Sequence, residues 1–144
     1  MNETIPASFA NMKVGIIGSG VMGEAMIGGL LSRNVLTADQ IMASDALPSR
    51  AQELHDHYHI HASTDNCVTA NGADVLVLSI KPQSLDKVLH ELRSGLTEQP
   101  KVVLSIIAGA SIQQISDGMG NPNVHDHTNL PIIVAGGASA GVKG

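Results

Sequence analysis

Three glycines within six positions, Gly18-Ser19-Gly20-Val21-Met22-Gly23, directly follow the apolar run Val14-Gly15-Ile16-Ile17. An apolar run of that length reads as a buried strand, and the apolar and small residues after Gly20 read as a helix. At such a strand-to-helix turn each glycine has a different task. Gly18 permits the tight turn, Gly20 lets an anion approach the backbone, and Gly23 lets the helix pack closely on the sheet. The exposed amides and the positive end of the helix dipole then face the same point, where a pyrophosphate is stabilised. Ile17, Gly18, Ser19, Gly20, Val21, Met22 and Gly23 are therefore expected to line the phosphates of a dinucleotide, NAD or NADP. The plainer reading is that the glycines only relieve crowding in the turn.

Asp45 ends the next apolar run, about 20 residues beyond the loop, where an acid commonly accepts the ribose hydroxyls of NAD. A carboxylate there disfavours a 2′-phosphate. Ser44 beside it is a donor to such a phosphate, and Arg50 on the following helix is a second one. The other reading of Asp45 is a helix or turn cap.

No other cluster makes a strong chemical case. His55, His57, His59 and His61 alternate, and His125 and His127 repeat the spacing. Alternation brings side chains together only on a strand, and His55 and His57 fall at what reads as a helix end. With no cysteine or carboxylate cluster at recognised spacing, no metal is expected. Cys67, Ser79 and Ser105 read as small packed residues, and no catalytic side chain is assigned.

The elements that must position the loop follow from periodicity. Strands are expected at 13–17, 41–44, 60–62, 74–80 and 102–107, with helices at 21–33, 48–58, about 65–71, 85–96 and about 112–118 between them. On the first helix, Met22, Ala25, Met26, Gly29 and Leu30 are expected to form the packed face. Short apolar strands alternating with helices predict a Rossmann-type α/β fold, a doubly wound and mainly parallel sheet with helices on both faces. A further strand is expected within 129–135. The domain is thus read as 13–135, after a leader at 1–12 and before a glycine-rich flexible tail at 136–144.

Composition excludes several classes. The chain of 144 residues carries a net charge of −5 and only one Phe, one Tyr and no Trp, leaving neither a basic face nor stacking rings for nucleic acid. No apolar run approaches the roughly 20 residues of a membrane helix. A single cysteine and a leader without the features of a secretion signal point to a reducing, cytoplasmic location.

Beyond the glycine loop, the chain carries Asp65-Asn66, Ala73-Asp74-Val75, Ile80-Lys81-Pro82-Gln83 and Leu104-Ser105-Ile106-Ile107-Ala108-Gly109 in order. With these motifs, residues 13 to about 124 resemble the amino-terminal domain of pyrroline-5-carboxylate reductase. The resemblance implies hydride transfer from NADPH or NADH to a cyclic imine, 1-pyrroline-5-carboxylate, giving proline. It implies that Ser44 and Asn66 approach the adenosine end. Ser79, Ile80, Lys81 and Pro82, with Ile106, Ile107 and Ala108, would flank the nicotinamide. The plain reading of Lys81 is a surface charge.

The resemblance stops where a methionine-proline-asparagine-threonine-proline loop is expected. The sequence instead continues His125-Asp126-His127-Thr128-Asn129-Leu130-Pro131, and the helical second domain does not follow. The expectation is a chain that binds NADP, or alternatively NAD, but turns over the imine poorly alone, with a homo-oligomer left open. Two other readings compete: a non-catalytic dinucleotide-binding module, and a related NADP oxidoreductase, such as a deazaflavin-dependent one, with another substrate.

Overall fold

The computed structural model describes residues 10–120, 131–135 and 141–143. Within them the strands are β1 (Val14–Ile17), β2 (Ile41–Ser44), β3 (His61–Ser63), β4 (Val75–Leu78), β5 (Val102–Ser105), β6 (Ile132–Val134) and β7 (Gly141–Lys143). The helices are α1 (Val21–Ser32), α2 (Pro48–Tyr58), α3 (Asn66–Asn71), α4 (Leu85–Gly95) and α5 (Ile112–Gly118). The sheet runs β3-β2-β1-β4-β5-β6-β7. All neighbours are parallel except β6 and β7. The chain begins in the middle, winds outward through β2 and β3, then returns to β4 on the other side of β1. That reversal opens a crevice at the carboxyl ends of β1 and β4.

Alternation along the central strands divides the core into two layers. Val14 and Ile16 of β1 and Val77 of β4 pack with Ile27 of α1 and Leu54 of α2. Ile17, Leu76 and Leu78 point to the other face, against Leu85, Val88, Leu89 and Leu92 of α4 and Ile115 of α5. Helices therefore cover both faces, the doubly wound Rossmann arrangement read from the sequence.

Local chemistry sets the element ends. Pro48 opens α2, and His59 closes it in the left-handed conformation at φ 61°. The Asp65 carboxylate accepts from the amides of Cys67 and Val68 and starts α3, and Ser111 accepts from the Gln114 amide to start α5.

The structure corrects three readings. Met22 and Ala25 are exposed, and the packed face of α1 centres on Gly23 and Ile27, flanked by Met26, Leu30 and Leu31. This helix is apolar or small nearly all round, so periodicity does not choose its face. Strands β4 and β5 end at Leu78 and Ser105, so Ser79, Ile80, Ile106 and Ile107 leave the ladder as loops. Finally, Gly141–Lys143 falls in the segment read as a tail, yet it pairs antiparallel with β6 and satisfies an otherwise unpaired edge. The leader through residue 9, the departure from the family pattern at 125–130 and most of the tail lie outside the described residues.

Gly15 shows how tightly the sheet centre is covered. A Cβ there would lie 2.6 Å from the Thr69 carbonyl oxygen of α3 and 3.0 Å from Ala73 Cβ. Gly15→Ala is expected to cost about 1–3 kcal/mol through this overpacking and to lower the thermal midpoint by several degrees, as read by circular dichroism.

Candidate functional site

The turn between β1 and α1 is fastened to both neighbouring strands. The Gly18 amide donates to Ser44 O at the end of β2 (2.9 Å), and the Ser79 amide beyond β4 donates to Ile17 O (2.8 Å). Gly18 has φ 87°, and a Cβ on it would lie 2.5 Å from Ile80 Cγ2. A Cβ on Gly23 would lie 2.5 Å from Gly18 O. Between these two crowded positions Gly20 is exposed, and a Cβ there would meet nothing within 4 Å.

Gly20 is also the cap residue of α1, and no side chain fills the cap position. Past Gly18 and Ser19, whose amides bond to Ser44 O and Asp45 Oδ2, the next described backbone amide to find an intrachain acceptor is that of Glu24, bonded to Gly20 O (2.9 Å). The amides of Gly20, Val21, Met22 and Gly23 are left to a ligand or to solvent. An open space, free amides and a helix dipole thus coincide, an arrangement that suits a phosphate. The same space would be filled by any branched side chain at position 20.

Ser19 and Ile17 are buried beneath the loop. Ser19 spends its groups inside the protein: its amide donates to Asp45 Oδ2 (3.2 Å), and its hydroxyl donates to Ser44 O (3.3 Å). Its carbonyl accepts from Arg50 Nε (2.9 Å) and Nη2 (2.7 Å). Asp45 Oδ1 accepts from the Leu47 amide (2.9 Å), bracing the turn into α2. The carboxylate therefore has the geometry of a turn brace and still borders the end of β2.

Arg50 also pairs with Glu24 of α1 and Glu53 of α2. Glu24 Oε2 accepts from the Tyr58 hydroxyl (2.8 Å). The Tyr58 bond and then the Arg50 guanidinium hold the Glu24 carboxyl below its ordinary range. Glu24 in turn raises Arg50, while burial foremost, and then Glu24, raises the Tyr58 phenol.

At the end of β2, Ser44 is fully buried and its hydroxyl donates to Asn66 Oδ1 (2.7 Å), while Asn66 Nδ2 donates to Glu91 Oε2 of α4 (3.1 Å). Ser44 thus acts on any ligand through Asn66, which keeps some exposure. At the other end, Ser79 and Ile80 after β4 and Ile106 after β5 are half-buried, whereas Lys81, Pro82 and Ala108 are exposed. The Ile106 amide donates to Leu78 O (3.1 Å), which holds the two strand ends side by side. Ile107 instead points into the core.

Sequence reasoning missed Glu24, Tyr58 and Glu91, whose partners are 24 or more positions away. It also missed Leu47 and Val68, large apolar side chains exposed at 63% and 46% after β2 and on α3. Of the described histidines, His55, His59 and His61 border one shallow hollow between α2 and β3, with His55 Nδ1 3.0 Å from Ile60 O, and His57 stacks edge-on to Tyr58. Among the described residues no group of three or more His, Cys, Asp or Glu is placed to hold a metal ion, and no helix is long and apolar enough to cross a membrane.

Cys67 lies beside α4, its Sγ 3.3 Å from Glu91 O, and burial, with the Asp65 and Glu91 carboxylates, pushes its thiol up. A raised thiol pKa means less thiolate at a given pH. Alkylation of Cys67 by iodoacetamide at pH 8 is expected to run slower than that of glutathione, and to keep accelerating at higher pH.

Residues 13–109 match the family model described as NADP oxidoreductase, coenzyme F420-dependent. Among curated proteins the chain is similar to pyrroline-5-carboxylate reductases. It is 35% identical to that of Methanosarcina acetivorans over 90% of this chain and 48% of the relative. The reductase of Corynebacterium melassecola is 36% identical over 91% of this chain and 50% of its own length. The chain therefore spans about half the length of the curated relatives it matches. Among solved structures, a pyrroline-5-carboxylate reductase from Coxiella burnetii superposes with a TM-score of 0.74 at 23% identity, over 86% of this chain and 43% of that one. One from Streptococcus pyogenes gives 0.65 at 27% identity, over 85% and 41%.

Proposed function

The chain belongs to the family of coenzyme F420-dependent NADP oxidoreductases, and from that premise we propose that it supplies the dinucleotide-binding half of a pyrroline-5-carboxylate reductase. The observation that carries the reading is the open face at Gly20, where the amides that start α1 meet a space that no described residue fills. NADP is the proposed cofactor, with NAD the alternative. A Plasmodium falciparum pyrroline carboxylate reductase of similar fold is described with NADP bound, at 20% identity.

In this reading Gly20, Val21, Met22 and Gly23 hold the pyrophosphate by their amides, while Ile17, Gly18 and Ser19 shape the loop from beneath. Asn66, oriented by Ser44 and Glu91, and Asp45 border the adenosine ribose. The strand-end loops carrying Ser79, Ile80, Lys81 and Pro82, with Ile106 and Ala108, flank the nicotinamide, and Ile107 supports them from the core. When bound, the reduced nicotinamide would supply a hydride to the imine carbon of 1-pyrroline-5-carboxylate protonated at nitrogen, which would give L-proline and the oxidised cofactor. The protein contributes position and electrostatics, so no side-chain nucleophile is required. The remainder of the proposal is a cytoplasmic protein working with a second copy or a complementary domain.

Gly20 offers a clean test, because its φ of −68° suits any residue and its Cβ direction is empty. Gly20→Val is expected to leave the melting temperature unchanged yet raise the NADPH dissociation constant by about tenfold or more, near 1.4 kcal/mol, in calorimetric titration.

The second reading is a dinucleotide-binding module without turnover. Near-attack geometry contributes about 7–11 kcal/mol to such reactions and requires both reactants to be held. These 144 residues are expected to bind NADPH and to reduce the imine slowly, and adding the carboxyl-terminal half of a relative in trans is expected to raise turnover. Binding with no turnover under either condition would select the module.

A further inference from the structure

Arg50 has five N–H groups, and four are engaged in the described structure: Nε–H and one Nη2–H on Ser19 O, the other Nη2–H on Glu24, and one Nη1–H on Glu53. A 2′-phosphate clamped in the bidentate manner needs two free N–H groups on one edge. The guanidinium also already faces two carboxylates. Its geometry is directed at the glycine loop.

The target is one peptide unit. Ser19 C=O and Gly20 N–H belong to the same trans peptide, and the described chain contains no cis peptide bond. In a trans peptide the carbonyl and the N–H point in opposite directions. With Ser19 O drawn towards α2 by two charge-assisted bonds, the Gly20 N–H must point away from α2, and Gly20 itself is exposed. Polarisation of the carbonyl also makes that N–H a stronger donor. Glu24 and Tyr58 keep the guanidinium in place from α1 and from the last turn of α2.

We propose that Arg50, braced by Glu24 and Tyr58, is a positioning residue that aims the Gly20 amide at the cofactor pyrophosphate and does not read the 2′-phosphate. This rests on the proposed dinucleotide site. NADH and NADPH share the pyrophosphate, so removing Arg50 penalises both alike.

The test uses the 144-residue chain, with NADH and NADPH as probes in calorimetry and the Gly20 amide followed by ¹⁵N NMR without cofactor. Arg50→Met is expected to weaken both cofactors by the same factor, about tenfold, and to shift the Gly20 resonance. Glu24→Gln is expected to act in the same direction on both cofactors by a smaller factor. A role confined to stability would lower the melting temperature while leaving the Gly20 resonance and the affinities of the folded protein unchanged, which overturns the proposal. Loss of NADPH binding alone overturns it too, since Arg50 would then be reading the extra phosphate. Should Arg50→Met not fold, Arg50→Lys decides by the same readouts, because an ammonium cannot span Ser19 O and Glu24 as the fork does. If the unmodified chain binds neither cofactor, the dinucleotide reading itself fails, and the Gly20 shift still decides whether Arg50 orients the peptide.

Discussion

The structure depends on one steric constraint, the turn from β1 into α1. Ile17 is the last residue of a fully buried strand and Val21 the first of a helix, so three residues must reverse the chain at the point where the sheet order changes direction. Gly18 takes a left-handed conformation against Ser79 and Ile80, and Gly23 lies against Gly18 O. Side chains at these two positions would push α1 off the sheet. With α1 seated, its amino terminus opens onto the crevice between β1 and β4.

Electrostatics at this crevice come mainly from the backbone. The chain carries a net charge of −5, and Arg50, the cation nearest the loop, is paired with Glu24 and Glu53. An anion at Gly20 therefore meets oriented amides and a helix dipole, both fixed before it arrives. Such donors carry little reorganisation cost, and their strength is set by how rigidly the peptide planes are held. The buried Ser19, tied by Asp45, Ser44 O and Arg50, supplies that rigidity.

The two ends of the crevice are built differently. On the β2 side, polar relays run from β2 through Asn66 to α4, so the groups there are oriented by residues distant in sequence. At the other side, the ends of β4 and β5 are joined by a backbone bond from Ile106 to Leu78.

Much of this was legible in the sequence because it depends on residue type and local spacing. The glycine loop, the alternating strands and helices, the Pro48 start of α2, a cap at Thr64 or Asp65, of which the fold uses Asp65, and the Ser111 cap each follow from local sterics or one short hydrogen bond. So does the apolar stripe of α4. The packed face of α1 was not legible, because its residues are apolar or small on nearly every side and only the sheet beneath distinguishes Ile27 from Met22. The pairing of Gly141–Lys143 was not legible either, since an edge strand's partner is set by which backbone groups remain unpaired after folding. The sequence by itself determined the turn and the amides it exposes. The tertiary structure alone decided how those amides are held, because Arg50, Glu24 and Tyr58 meet only when α1 and α2 pack side by side on the same face of the sheet.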